Sequence, residues 1–247
     1  MRTRRRCSIL TIAAVFFGAV AGAALAFFSW ERDALAQARF GDKSQLAITG
    51  ENLFVFSSER FGEHFPDGEH SVTTTRFGFL YSQGSATPRG PQAGIHFFII
   101  PSLSIGATLG YESRGGSETQ PEGMRGIITR DTENISTFVI VPKVGYALMF
   151  TNVVGFWFRG GPGYFRVGAT NPIDTRIKDV NSYGLLSLDA FFVISPVQHF
   201  GFYLGPQGDI SFTGTHSHTD QNGIEISQTA NYRSLGLGLG LIGYIPL

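Results

Sequence analysis

The sequence predicts an all-β protein: an antiparallel, up-and-down transmembrane β-barrel of eight strands, with ten strands as the alternative. Apolar and polar residues alternate with a period of two over many segments, which is typical of strands that have two different faces. Short and long connections alternate between these segments, and an export signal precedes them. Together the three observations favour a barrel in a membrane.

Residues 1–38 have the layout of a secretory signal peptide. A basic stretch precedes an apolar run over residues 9–30, and two A-x-A patterns end at Ala36 and Ala38. This order predicts export and cleavage after Ala38 or Ala36. The alternative is an uncleaved helical anchor, because the apolar run is long enough to span a bilayer. The single cysteine, Cys7, leaves with a cleaved signal, so neither disulfides nor a Cys-ligated metal is expected.

Residues 39–70 are predicted to form an N-terminal periplasmic or accessory segment ahead of the barrel. Within this segment, residues 45–57 are strand-like because Ile48, Leu53 and Val55 supply apolar side chains. They do not fit a count of eight strands, so an accessory role is favoured. A strand that caps the barrel mouth, or one of ten barrel strands, is the alternative.

The barrel itself is predicted over residues 71–247. Residues 102–113 show the alternation clearly, since Leu103, Ile105 and Leu109 share one face and Ser, Gly and Thr occupy the other. The predicted strands cover residues 71–83, 93–100, 102–113, 137–150, 153–167, 182–195, 198–212 and the C-terminal segment around 234–241. Apart from residues 93–100, each is long enough for a tilted membrane strand.

The connections between these strands are sorted by length. The short ones lie at residue 101, residues 150–152 and residues 196–198. The long, polar ones lie at residues 84–92, 114–134, 168–181 and 213–229. Outer-membrane barrels have short periplasmic turns and longer outer loops. The pattern therefore places both ends of the barrel, Ser71 and Leu247, on the periplasmic side.

The apolar face of each strand is expected to point outward. Gly, Ser and Thr dominate the polar faces, which suits a narrow interior filled by side chains. Aromatic residues lie near strand ends, as in the girdles of membrane barrels. The alternative is a secreted soluble barrel whose apolar face points inward and carries an apolar ligand. A formal net charge of zero argues against a nucleic-acid partner.

The pattern of the whole barrel region, the phrase G-I-H-F-F-I-I-P-S-L-S-I-G-A-T-L-G-Y over residues 94–111 and the alternating last strand resemble the small eight-stranded outer-membrane β-barrel proteins of Gram-negative bacteria. The resemblance implies a location in the cell outer membrane and insertion by the barrel-assembly machinery. It also implies contact with outer-membrane lipid and lipopolysaccharide, and a monomer. No cofactor is expected.

Charged and amide side chains on the polar faces are predicted to meet inside the barrel. They are Lys143, Arg159, Asp189, Asp209 and Gln207, with Arg76 and His96 as an extension. An unpaired charge in such a medium costs several kcal/mol, so cross-strand ion pairing is expected. A plug of salt bridges that closes the lumen is the favoured interpretation, and a narrow ion path is the alternative. No catalytic, cofactor-binding or metal site is expected there.

The predicted loop at residues 213–229 contains His216, His218 and Asp220. Two imidazoles and a carboxylate are metal-ligand types, but no third strong ligand is evident, so a solvated polar loop is favoured. A rim hydrolase or acyltransferase that uses His218 and Asp220 with a serine is a further alternative. The main hypothesis is a non-enzymatic barrel with a structural, surface-interaction or narrow-pore role.

Overall fold

The structure is a computed structural model that describes residues 39–65, 68–79, 90–121 and 127–247. Its strands are β1 (Gln45–Phe65), β2 (Gly68–Phe79), β3 (Gln92–Ile100), β4 (Leu103–Pro121), β5 (Ile127–Met149), β6 (Val154–Thr170), β7 (Lys178–Val197), β8 (Phe200–Thr219) and β9 (Glu225–Pro246). Within these ranges, no helix is long and apolar enough to cross a bilayer. The predicted signal peptide and its alternative, a helical anchor, lie outside the described residues.

The strands close into one antiparallel ring with eight positions around the barrel. Each strand from β3 to β8 pairs with the next in the chain, and β1 pairs with β9 to complete the ring. On its other edge, β1 pairs with β3 over residues 45–51 and with β2 over residues 54–65. Strands β2 and β3 therefore share one position, and the predicted eight-stranded antiparallel barrel is confirmed.

The prediction that residues 45–57 form an accessory segment outside the barrel is wrong. These residues belong to β1, which is hydrogen-bonded on both edges and lies between β9 and β3. Without β1 the wall would present two unpaired strand edges, which a closed barrel avoids. The predicted count of eight treats residues 71–83 and 93–100 as two neighbouring strands, whereas β2 and β3 pair with different parts of the same edge of β1.

The two ends of the barrel strands meet, although not at the predicted residues. The amide of Leu247 donates to the Ser44 carbonyl at 2.8 Å, and Gln45 lies opposite Pro246. Ser71 instead pairs with Gly62 near the opposite end of β1, so the prediction that Ser71 and Leu247 lie on the same side of the barrel is wrong. The end that holds Ser44 and Leu247 is called the turn end here, and the opposite end is called the loop end.

The turn end carries the predicted short connections: residues 101–102, 150–153 and 198–199 join its strands. The predicted long loops at the other end are wrong in extent, because most of their residues are paired strand. Only residues 171–177 connect β6 to β7, and residues 220–224 connect β8 to β9. Backbone pairing needs no apolar side chain, so the polar ends of the strands continue the ladder. The predicted loop at residues 84–92 lies mostly outside the described residues.

The apolar faces point outward, as predicted. On β4, Leu109 is 50% exposed and Tyr111 is 70% exposed, whereas Ser104 and Thr108 are fully buried. The same alternation continues around the wall through exposed Val144, Leu188 and other large apolar residues. An apolar exterior around a filled, partly polar interior is the arrangement of a membrane barrel and not of a soluble one.

Candidate functional site

The lumen is filled in layers along the barrel axis, and the middle layer is ionic. Lys143 on β5 and Arg159 on β6 face Asp189 on β7 and Glu51 on β1, and all four side chains are buried. The Lys143 ammonium lies 2.7 Å from Asp189 Oδ2 and 3.4 Å from Glu51 Oε2. This set, called the ionic belt below, balances two cations with two anions.

Arg159 is the centre of the ionic belt. Its Nη1 donates to Glu51 Oε1, while its Nη2 donates to Glu51 Oε2 at 3.0 Å and to Asp189 Oδ2 at 3.1 Å. Such a two-pronged contact matches the planar fork of a guanidinium. The Arg159 Cζ also lies 4.5 Å from the centre of the Trp157 ring and 4.9 Å from that of Phe191. The guanidinium is thus held by two carboxylates and by the faces of two aromatic rings.

A bulge in β1 delivers Glu51 to the belt. The register of β1 against β9 shifts between Gly50 and Phe54, and Asn52 has a φ of 56°. Asn tolerates that left-handed conformation better than most residues. Thr49 Oγ1 donates to Glu51 Oε1 at 2.9 Å and helps to orient the carboxylate. A β-bulge can change the direction in which a side chain points. Here it turns the Glu51 carboxylate into the lumen towards Arg159.

The structure separates the other residues of the predicted lumen network. His96 Nε2 lies 3.3 Å from Arg159 Nη1, which can only donate, so His96 accepts and joins the belt as a neutral ring. Arg76 instead pairs with Glu59 at 3.3 Å, and Asp209 accepts from Ser234 at 3.0 Å.

Gln207 is buried at a position opposite Asp189 across the β7–β8 pair. Sequence reasoning missed Glu51 and Glu59, which lie in the supposed accessory segment. The predicted set held three basic and two acidic residues, so its charge imbalance was the signal that acidic partners were missing.

Below the belt, aromatic side chains seal the turn end. Phe40 is 1% exposed and inserts between Phe98, Trp157 and Tyr244, with ring centres 5.2, 5.2 and 5.5 Å from its own. The segment is tied down because Gly41 donates to Gln45 Oε1 and accepts from the Ser102 amide, both at 2.8 Å. Residues 39–44 therefore form a plug, called the turn-end plug below.

A second apolar layer lies above the belt. Its rings are Phe61, Phe165, Tyr183 and Tyr232, and the Phe165 and Tyr183 rings stack with centres 5.8 Å apart. Leu185 packs with them and is fully buried. The ionic belt is thus enclosed by apolar layers on both sides, which keeps water from its charges.

The loop-end rim holds the predicted pair His216 and His218, but their partners are not the predicted ones. His218 Nδ1 lies 2.7 Å from Asp179 Oδ1, and His216 Nδ1 lies 3.0 Å from Asn181 Oδ1. Glu63 of β1 approaches His216 to 3.7 Å. Both histidines lie on strand β8, which pairs here with β7. The residues around them are therefore part of the barrel wall and not of the predicted loop. His216, His218, Asp179, Asn181 and Glu63 are called the rim cluster below.

Asp220 makes its hydrogen bonds within the β8–β9 turn instead. Its carboxylate accepts from the Asn222 and Ile224 amides at 2.8 and 2.9 Å and closes the β8–β9 turn. Because those amides favour the ionised form, the pKa of Asp220 is lowered from its usual value. In the described ranges, no group of His, Cys, Asp and Glu is arranged to hold a metal ion.

Solved structures similar to the chain include three of outer-membrane proteins. The outer membrane protein OprG from Pseudomonas aeruginosa is 10% identical, with coverage of 82% of this chain and 97% of that one and a TM-score of 0.46. The outer membrane protease OmpT from Escherichia coli is 11% identical, with coverage of 86% and 100% and a TM-score of 0.39. A major outer membrane protein from Thermus thermophilus is 14% identical, with coverage of 78% and 99% and a TM-score of 0.40.

No protein-family model and no curated protein matches the chain. The similarities to solved structures are too low to transfer a role from any of them. The chain's own strand pairing, apolar exterior and filled interior nevertheless define its class. It is a transmembrane β-barrel of the outer-membrane type.

Proposed function

We propose that this protein is a non-enzymatic barrel, closed to ion flow, that anchors an interaction surface at its loop end. The observation that carries the proposal is the filling of the lumen at three successive levels: the turn-end plug with its aromatic neighbours, the ionic belt and the upper aromatic layer. An eight-stranded barrel has an interior that side chains can fill completely.

The loop end supplies the surface. Strand pairs β6–β7 and β8–β9 extend beyond the apolar belt and end in residues 171–177 and 220–224. Ile173 is 94% exposed and Ile224 is 59% exposed at these two tips. Each tip therefore offers an apolar side chain that a partner could cover.

Planar-bilayer recording tests closure. The purified protein should give no discrete channel openings, whereas an open narrow pore would give steps proportional to voltage and would contradict the proposal. Mobility in SDS before and after heating should show beforehand that the protein is a folded barrel.

Cysteine labelling on intact cells tests the orientation. The mature chain predicted here lacks cysteine, so Ile173→Cys gives a single reactive thiol at the loop end. A membrane-impermeant maleimide should label it. Lys43→Cys, exposed at the turn end, is the matched control and should react only after the membrane is opened. The reverse result would place the loop end in the periplasm.

The rim cluster favours a second candidate, a rim hydrolase. The 2.7 Å contact from His218 to Asp179 leaves His218 Nε2 as the nitrogen that could take a proton from water. That water would attack an ester or peptide carbonyl, and the imidazolium would return the proton to the leaving group.

Assays with a chromogenic ester and a quenched fluorescent peptide mixture separate the two candidates. If the rim is catalytic, His218→Ala and Asp179→Asn should abolish turnover, while Asp220→Asn, in the nearby turn, should retain it. Wild-type protein that gives no turnover above buffer would exclude these substrates and support the non-enzymatic role.

A further inference from the structure

The turn-end plug begins with a turn at the mouth of the barrel. The Asp42 amide donates to the Arg39 carbonyl at 3.3 Å, and Gly41 between them has a φ of 92°. A glycine with a positive φ at this position is typical of a type II turn. Arg39 is exposed, whereas Phe40, the next residue, is 1% exposed. The chain therefore leaves the filled interior at Arg39.

The barrel holds Arg39 from several sides. Gln45 Nε2 donates to its carbonyl at 3.2 Å, and its guanidinium donates to the carbonyl of Met149. Its main-chain nitrogen donates to Asp42 Oδ2 at 3.0 Å. Among the described residues, no lysine, arginine or histidine side chain forms a salt bridge with Asp42. The Asp42 carboxylate is thus directed at a backbone nitrogen and not at a cationic side chain.

The charge on that nitrogen depends on where the leader is cleaved, and the A-x-A patterns at Ala36 and Ala38 offer two sites. Cleavage after Ala38 makes the Arg39 nitrogen an α-amino group, which has an ordinary pKa of about 7.7–8.0 and is mostly protonated at neutral pH. Cleavage after Ala36 leaves the nitrogen a neutral amide. Only the first product gives Asp42 a cation, and a hydrogen bond between charged groups is stronger than one from a neutral amide.

We propose that Arg39 is the first residue of the mature protein and that its α-ammonium forms an ion pair with Asp42 that fastens the turn-end plug. Removal of the leader adds one water across the Ala38–Arg39 peptide bond, which leaves a carboxylate on Ala38 and an ammonium on Arg39. The precursor lacks this ammonium, so processing completes the plug. The proposal rests on the export signal predicted over residues 1–38, and it does not depend on the role of the loop end.

Intact-mass spectrometry of protein purified from outer membranes tests the site of cleavage. The measured mass should equal that of residues 39–247. A mass that begins at Gln37, or one that includes the whole leader, would overturn the proposal. Heat-dependent mobility in SDS shows that the protein measured is a folded barrel.

Amine labelling tests the ion pair. An acetylating N-hydroxysuccinimide ester attacks the neutral amine, so an ammonium held by Asp42 reacts slowly. At neutral pH, Asp42→Asn should speed acetylation of the Arg39 α-amine by about two- to fivefold, the ratio expected for an exposed ion pair. Exposed Lys178 on β7 is the internal reference and should react at the same rate in both proteins. Glu133→Gln, which removes an exposed carboxylate from β5, should leave both rates unchanged. Equal α-amine rates in wild type and Asp42→Asn would overturn the proposal.

A shifted terminus separates this pairing from the general effect of a nearby carboxylate. Ala38→Gln removes the second A-x-A pattern and should move cleavage to Ala36, so that the chain begins at Gln37. The α-amine then lies two residues before Arg39, and adding Asp42→Asn should not change its acetylation rate. An increase as large as in the wild-type background would show that Asp42 acts on any amine near it, and that result would also overturn the proposal.

Discussion

The ionic belt and the rim cluster contain the same kinds of groups in opposite surroundings. In the belt, Arg159 and Asp189 have fully buried side chains. In the rim cluster, the side chains of His218 and Asp179 are 44% and 40% exposed. Because water is excluded from the belt, each of its charges depends on its partners. The rim groups can exchange their partners for water, so ion pairs there add little to the free energy of unfolding. Their side chains also remain accessible to a substrate or partner from solution.

The largest effect is expected from Glu51→Ala in the belt. It leaves Lys143 and Arg159 with Asp189 alone, and breaking a buried ion pair from one side costs about 3–5 kcal/mol. The free energy of unfolding in detergent, measured by urea titration, should fall by that amount. Glu225→Ala, at an exposed position, is the control and should change little.

The double variant Glu51→Ala/Lys143→Met tests whether charge balance is the reason. It leaves one cation and one anion in contact, Arg159 and Asp189. Its free energy of unfolding should therefore exceed that of the single variant, a non-additivity expected of contacting residues. A double variant that is less stable than Glu51→Ala would show that packing, and not charge, dominates at this level.

A smaller loss is expected from Phe40→Ala in the turn-end plug. Removing a ring that is 1% exposed should lower the free energy of unfolding by about 3 kcal/mol. The Trp157 ring, which touches Phe40, should gain contact with water and shift its fluorescence to longer wavelength. Phe212→Ala, whose side chain is 69% exposed on the outer face, should leave that fluorescence unchanged. Unaltered emission in the Phe40 variant would mean that the plug does not seal the lumen.

At the rim, Asp179→Asn should cost less than about 1 kcal/mol, because partly exposed ion pairs contribute little. The same urea titration measures it. A loss as large as that of Glu51→Ala would break the contrast between the two regions and would make the rim cluster part of the structural core.

The smallest effect is confined to the β8–β9 turn. The pKa of Asp220 is lowered by the Ile224 amide, so its stabilising contribution is complete above the unfolded pKa of 3.8 and is lost as the pH falls through the folded value. Hydrogen-exchange protection of the Ile224 amide should therefore decrease as the pH falls below 3.8. In Asp220→Asn the protection should be independent of pH across this acidic range.

Much of the wall could be predicted from sequence because the strand period is local. Each outward residue, such as Ile105 or Val144, is followed two positions later by another, and this alternation assigns faces without knowledge of neighbours. The short connections are also local signals. The loop-end parts of strands β4–β9 consist of polar residues and were predicted as loops. Polar residues form backbone hydrogen bonds between strands just as apolar residues do, so the lack of alternation did not mark the end of a strand.

The sequence by itself determined the class of the protein, the direction of the apolar faces and three of the four residues of the ionic belt, Lys143, Arg159 and Asp189. Only the tertiary structure decided that β1 closes the ring, that its bulge brings Glu51 to Arg159, and that Asp179 and not Asp220 serves His218. The physical reason is that faces follow from neighbours along one strand. Which charged side chains meet across the lumen depends instead on how every strand pairs with its neighbours around the closed ring. One bulge, such as that in β1, or two strands that share one edge, as β2 and β3 do, changes which side chains face each other.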